Sequence, residues 1–137
     1  MVVCLAPHII IHKEENTMKI TQGQAVSAYA VIKSMGRRQL QTGTAFQLFR
    51  LKKKLEDVVE FQIEQENNLA ESLGGTIENG RLNVPDERLK EYTERHKEIS
   101  DTECEIDTEK VTLSIGEIPA ITIDEIEALD PVITFIE

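Results

Sequence analysis

From Phe46 to Leu73 the chain predicts one unbroken helix of about 42 Å at 1.5 Å rise per residue, and the other segments must be arranged around that rod. Leu48, Phe49, Leu51, Leu55, Val58, Val59, Ile63, Leu69, Ala70 and Leu73 recur at three- and four-residue spacing, with no Pro or Gly among them, which is the pattern of an amphipathic helix. A domain of 137 residues does not need so long a helix for a core of its own. Something must therefore pack along it: the later part of the chain, a second copy, or another protein. Leu48, Leu51, Leu55 and Val58 form the candidate interaction seam.

Charge follows the same rod. Residues 1–54 hold nine Lys or Arg against two acids, a balance of +7, and residues 55–137 hold six against twenty-three, a balance of −17. The long helix thus starts basic and ends acidic, with Glu56, Asp57, Glu60, Glu64, Glu66 and Glu71 in its second part, which opposes the preference of the helix dipole. Local propensity did not choose that order. It suits antiparallel pairing with a second copy, where Lys52 to Lys54 approach Glu64, Glu66 or Glu71, and a homodimer through this helix is the expectation. Its apolar stripe weakens at Gln62, Gln65, Glu66 and Asn67, so the surface that meets it turns polar there or the seam is interrupted to set a register.

Before the rod, Thr21 and Gln24 have capping-box spacing and predict a helix over 22–35, with Ala25, Ala28, Tyr29, Ile32 and Met35 on one face. A polar loop follows from Gly36 to Gly43. Residues 1–17 carry no capping, turn or periodic signal and read as an N-terminal extension, leaving 18–137 as a single α+β domain. An edge strand at Ile9 to Ile11 is the rival reading of that extension.

After the rod, Gly74 and Gly75 end the helix, and Asn79-Gly80 predicts a β-hairpin within Thr76 to Val84 because both residues tolerate positive φ. Pro85 opens a helix to Ser100 whose Leu89, Tyr92, His96 and Ile99 form one narrow apolar face, suited to fold back antiparallel on the long helix. The period then becomes two. Cys104 and Ile106 alternate with Glu103, Glu105 and Asp107, and Val111, Leu113 and Ile115 alternate with Thr112 and Ser114, so two half-buried strands follow and are placed to pair with each other. Thr122 and Glu125 form a second capping box ahead of Ile126 and Leu129, Pro131 stops that helix, and Val132 to Ile136 docks. The fold class is α+β and predominantly helical: a long helix with an antiparallel partner, a hairpin and a small antiparallel sheet.

No phosphate-cradling glycine loop, nucleophile elbow or paired-cysteine metal motif is present in the sequence. Cys4 and Cys104 stand one hundred residues apart and match no zinc, redox or disulfide spacing, which points to a reducing, cytoplasmic setting. His8 and His12 are four apart, but Pro7 opposes a helix there and a metal site needs more ligands. His96 lies on the apolar face of its helix, and Glu103, Glu105 and Asp107 fall on the outer face of a strand. The expectation is no enzyme, no cofactor and no metal, and no apolar run is long enough to cross a membrane. One alternative to an interaction protein remains, a nucleic-acid-contacting factor using Arg37, Arg38, Arg50, Lys52, Lys53 and Lys54, with Lys33 nearby. A net charge of −10 opposes it.

Lys19-Ile20-Thr21 with Gly23-Gln24-Ala25, the charged helix around Lys54 and Leu55, the glycines and Asn79-Gly80, Lys90-Glu91-Tyr92, and the closing Leu129-Asp130-Pro131-Val132-Ile133 occur in an order that resembles a family of small proteins of unknown function encoded by tailed phages and prophages of Gram-positive bacteria. The resemblance spans Met18 to Glu137. It implies a phage-derived protein of the host cytoplasm without an established activity, and carries over no functional residue; the partner expected for the seam is a second copy or another phage or host protein.

Overall fold

The computed structural model describes residues 17–137. Ile9 to Ile11, His8, His12 and Cys4 lie outside that range. Thr17, assigned above to the extension, donates a hydrogen bond to Glu105 Oε1 at 2.9 Å and so belongs with the described domain.

In order, the elements are β1 (Met18–Thr21), α1 (Gln22–Ser34), α2 (Thr42–Ser72), β2 (Thr76–Glu78), β3 (Arg81–Asn83), α3 (Leu89–Asp101), β4 (Glu103–Ile106), β5 (Val111–Ser114), α4 (Ile123–Leu129) and β6 (Ile133–Ile136). The fold is α+β and mainly helical, as expected. Both capping boxes form: Thr21 and Gln24 exchange hydrogen bonds at the head of α1, and Thr122 and Glu125 at the head of α4. Each satisfies two backbone N–H donors that a bare helix start would leave open.

The long helix is 31 residues, about 46 Å at 1.5 Å rise, and begins four residues before Phe46. Gly74 closes it with φ +79°, the left-handed cap that glycine adopts without strain. Gly75 N–H then donates to Ala70 O at 2.7 Å. The hairpin turns on Asn79 and Gly80 at φ +52° and +76°, with Ile77 opposite Leu82.

The strands that alternate after Asp101 do not pair with each other. β4 pairs antiparallel with β1, Met18 opposite Ile106 and Thr21 opposite Glu103, whereas β5 pairs parallel with β6, Val111 opposite Ile133 and Ser114 opposite Ile136. A parallel pair cannot be joined by a tight turn. Residues 115–132, with α4 inside them, supply the crossover. Ile115 consequently leaves the strand for a single 3-10 turn and is exposed, against the alternation that placed it inside.

One core joins these pieces. Ala25, Ala28, Ile32 and Met35 of α1, Leu48, Leu51 and Leu55 of α2, Ile106, Leu113, Leu129, Val132 and Ile133 are all buried within it. The helix α3 runs antiparallel to the second half of α2, as its pattern predicts: Gln62 Nε2 donates to Ser100 Oγ at 3.3 Å, and Glu66 meets His96. The polar interruption of the α2 stripe faces polar groups of α3. Leu89 does not join that contact and stays exposed.

Candidate functional site

The seam of α2 lies inside the fold. Leu48, Leu51 and Leu55 are 3%, 2% and 0% exposed, and Val58 is half-buried against the same core. They meet α1 and the strands of their own chain, so the face expected to receive a partner is already covered. The reason lies within the chain: α1 and the strands share one core with these leucines, and α3 meets α2 beyond them, at Gln62 and Glu66.

The opposite face of α2 is a different matter. At 100° per residue, Phe46, Phe49, Arg50, Lys53, Asp57, Glu60, Phe61 and Glu64 fall within an arc of about 120° whose centre lies about 180° from Leu55. All eight are exposed. Phe46, Phe49 and Phe61 are 57%, 50% and 52% exposed, an arrangement that leaves three large apolar side chains in water on one helix face. The rings of Phe46 and Phe49 stack at 6.4 Å between centroids, and the Arg50 guanidinium lies 5.9 Å from the Phe46 centroid. Spacing alone puts Phe49 and Ile63 in the buried stripe. Phe49 lies on the outward arc instead, and Ile63 flanks the stripe and is half-exposed.

The basic set does not form one continuous surface. Arg38 reaches Glu125 at 2.6 Å, Lys53 reaches Glu56 at 3.3 Å and Lys54 reaches Asp107 at 3.6 Å. Lys52 lies 6.0 Å above the Tyr29 ring. Consecutive helical residues point 100° apart, so Arg50, Lys52, Lys53 and Lys54 radiate around α2 and cannot track a single strand together. Arg37 is exposed in the turn after α1. Sequence proximity suggested a patch that helical geometry disperses.

Lys33, Arg38 and Lys52 do converge on a groove of about 570 Å³ between the end of α1 and the start of α2, floored by Ile32, Met35, Leu40, Leu48 and Phe49. Arg38 is committed there by Glu125. The hydrogen bonds from Thr122 N–H and from the Arg38 guanidinium hold the Glu125 carboxyl below its ordinary range, the backbone contribution being the larger. The groove is thus tied to the head of α4.

Among the described residues, no group of three or more His, Cys, Asp or Glu could hold a metal ion, and no helix is long and apolar enough to cross a membrane. Cys104 is half-buried, and burial pushes its thiol up, which keeps it protonated and a poor nucleophile at neutral pH. The outward aromatic face was the feature that spacing analysis missed. Its signal was present in the sequence as the 3-1-3-4-3-1-3 steps from Phe46 to Glu64, on the side of the helix that the leucines leave free. No protein-family model matches the chain, and neither the curated proteins nor the solved structures contain a match.

Proposed function

We propose that this is a non-enzymatic protein-interaction or assembly protein that works through the outward face of its long helix. The observation that carries the reading is the exposure of Phe46, Phe49 and Phe61 on one arc of α2, opposite a stripe that the chain has already buried. Large aromatics are the side chains that contribute most at protein interfaces. The setting we propose is the host cytoplasm, and the tailed-phage or prophage origin has its support in the sequence resemblance alone. The nucleic-acid reading has less behind it, because the cations of 37–54 are dispersed around α2 and three of them meet carboxylates of the same chain.

A photo-reactive amino acid placed at Phe49 or Phe61 tests the reading in the cell that makes the protein. Adducts to any protein, itself included, are expected from these two positions and not from exposed Lys90 on α3. Equal yields from all three positions, or none from α2, would overturn it.

A further inference from the structure

The outward face of α2 is complementary to itself when reversed. Its exposed positions are symmetric about residue 55, so that residue n in one copy stands opposite residue 110 − n in a second, antiparallel copy. In that register Phe49 meets Phe61, Arg50 meets Glu60, Lys53 meets Asp57, and Phe46 covers the aliphatic stem of Glu64. Each pairing occurs twice, once on either side of the two-fold axis.

We infer that the partner of this face is a second copy of the chain, docked antiparallel about a two-fold axis level with Leu55. This rests on the reading of the face as a protein-binding surface, and adds the identity and register of the partner. Three observations support it. Every side chain in the set is exposed, Lys53 included although it also meets Glu56 of its own helix. The charges pair by sign in the reversed register, whereas a parallel copy would set Arg50 against Arg50, Lys53 against Lys53 and Asp57 against Asp57, a juxtaposition that interfaces avoid. The charge order along α2 also acquires a cause: the helix has no acid in its first turn and no base in its last, contrary to its dipole, and that order is what lets each basic half meet an acidic half. The contact is isologous, so it closes at two copies and does not propagate. From Phe46 to Glu64 it runs about 27 Å at 1.5 Å per residue. One helix pair of that length falls short of the ~1,600 Å² of a standard interface, which puts it with the smaller, transient contacts.

Sedimentation equilibrium of the full chain at tens of micromolar is the test, with charge reversal and its compensation. The wild-type protein should give a mass approaching twice 15.5 kDa. Lys53→Glu should weaken the dimer about tenfold or more, because it places two carboxylates together at both symmetric positions. Asp57→Lys should do the same with two ammonium groups, and the double variant should restore the wild-type mass. Both positions are exposed, so circular dichroism should show every variant folded. A monomeric wild type overturns the inference, as does a dimer indifferent to both single changes. Failure of the double variant to recover overturns the register. If the purified chain is monomeric while photo-adducts from Phe49 join it to a different protein, this inference fails and the wider reading of the face survives.

Discussion

His96 Nε2 stands 2.5 Å from a carboxylate oxygen of Glu66, and this contact fixes how far α3 slides along α2. Glu66 lies one helical turn beyond Gln62, which Ser100 meets, and the Tyr92 ring stacks on His96 at 5.7 Å. Burial raises the Tyr92 hydroxyl above its ordinary value of 10.0, and the Glu66 carboxylate raises it further.

Glu66→Gln is therefore expected to lower the Tyr92 pKa while leaving it above the ordinary value, since burial is the larger cause. An ultraviolet phenolate titration checks this, with Tyr92→Phe to assign the signal. The neutral phenol is favoured in the fold, so this contribution to stability is complete below pH 10 and is lost as the pH rises through the raised value. Urea midpoints on the alkaline side should fall less steeply in Glu66→Gln than in the wild type. An unchanged titration would show that the carboxylate and the phenol do not interact.

Gly75 allows the hairpin to return against the end of α2. A Cβ there would lie 2.5 Å from Asn83 O and 2.7 Å from Ala70 O, both backbone atoms with little freedom to move. Gly75→Ala should cost about 2 kcal/mol or more through forced backbone displacement. By comparison Gly43→Ala, with open space around the position, should gain up to about 1 kcal/mol from helix propensity. Chemical denaturation of the two variants gives both signs in one experiment.

At the acidic end, Glu125 carries the dependence. Its carboxyl is held low by the Thr122 N–H first and by Arg38 after it, so its contribution is present above the ordinary carboxylate value of 4.5 and lost as the pH falls through the depressed one. Glu125→Gln should flatten that part of the stability curve while keeping the side chain's size. Arg38→Ala should flatten it less, because the backbone donor remains. If Arg38→Ala removed the whole effect, the order of causes would be reversed.

Local devices were the legible part of this fold. The two capping boxes, the Gly74 stop and the Asn79-Gly80 turn each depend on residues within a few positions of one another, and each forms where spacing placed it. Partners distant in sequence left no such signal. β1 reaches β4 across more than eighty residues, and nothing in Met18 to Thr21 marks that destination. The four residues from Asp107 to Lys110 have the length of a hairpin loop, yet β5 pairs parallel with β6 instead, and α4 lies in the long crossover that a parallel pair requires. The same limit governs the candidate site. Period locates a stripe on a helix without saying what covers it, so the leucines of α2 read as an interface until α1 and the strands are seen on them.

That distinction gives the last prediction, in which stability separates the two faces of α2. Leu55 is fully buried against the core, so Leu55→Ala removes apolar contacts and leaves a cavity, at a cost of about 2–5 kcal/mol. Leu55→Glu should unfold the protein, since a lone carboxylate there has no partner and no water. Phe61, half in solvent on the opposite side, is expected to behave otherwise. Phe61→Ser should change the stability measured at sub-micromolar concentration, where a weak dimer has dissociated, by no more than about 0.5 kcal/mol. At tens of micromolar the wild type should gain stability relative to Phe61→Ser, because association that favours only the folded form raises its apparent stability by mass action. Thermal melts of both proteins over that range make the comparison. A concentration-independent gap between them would place Phe61 in the fold itself, and a loss at Leu55→Ala below about 1 kcal/mol would mean that α1 and the strands do not hold the leucine stripe.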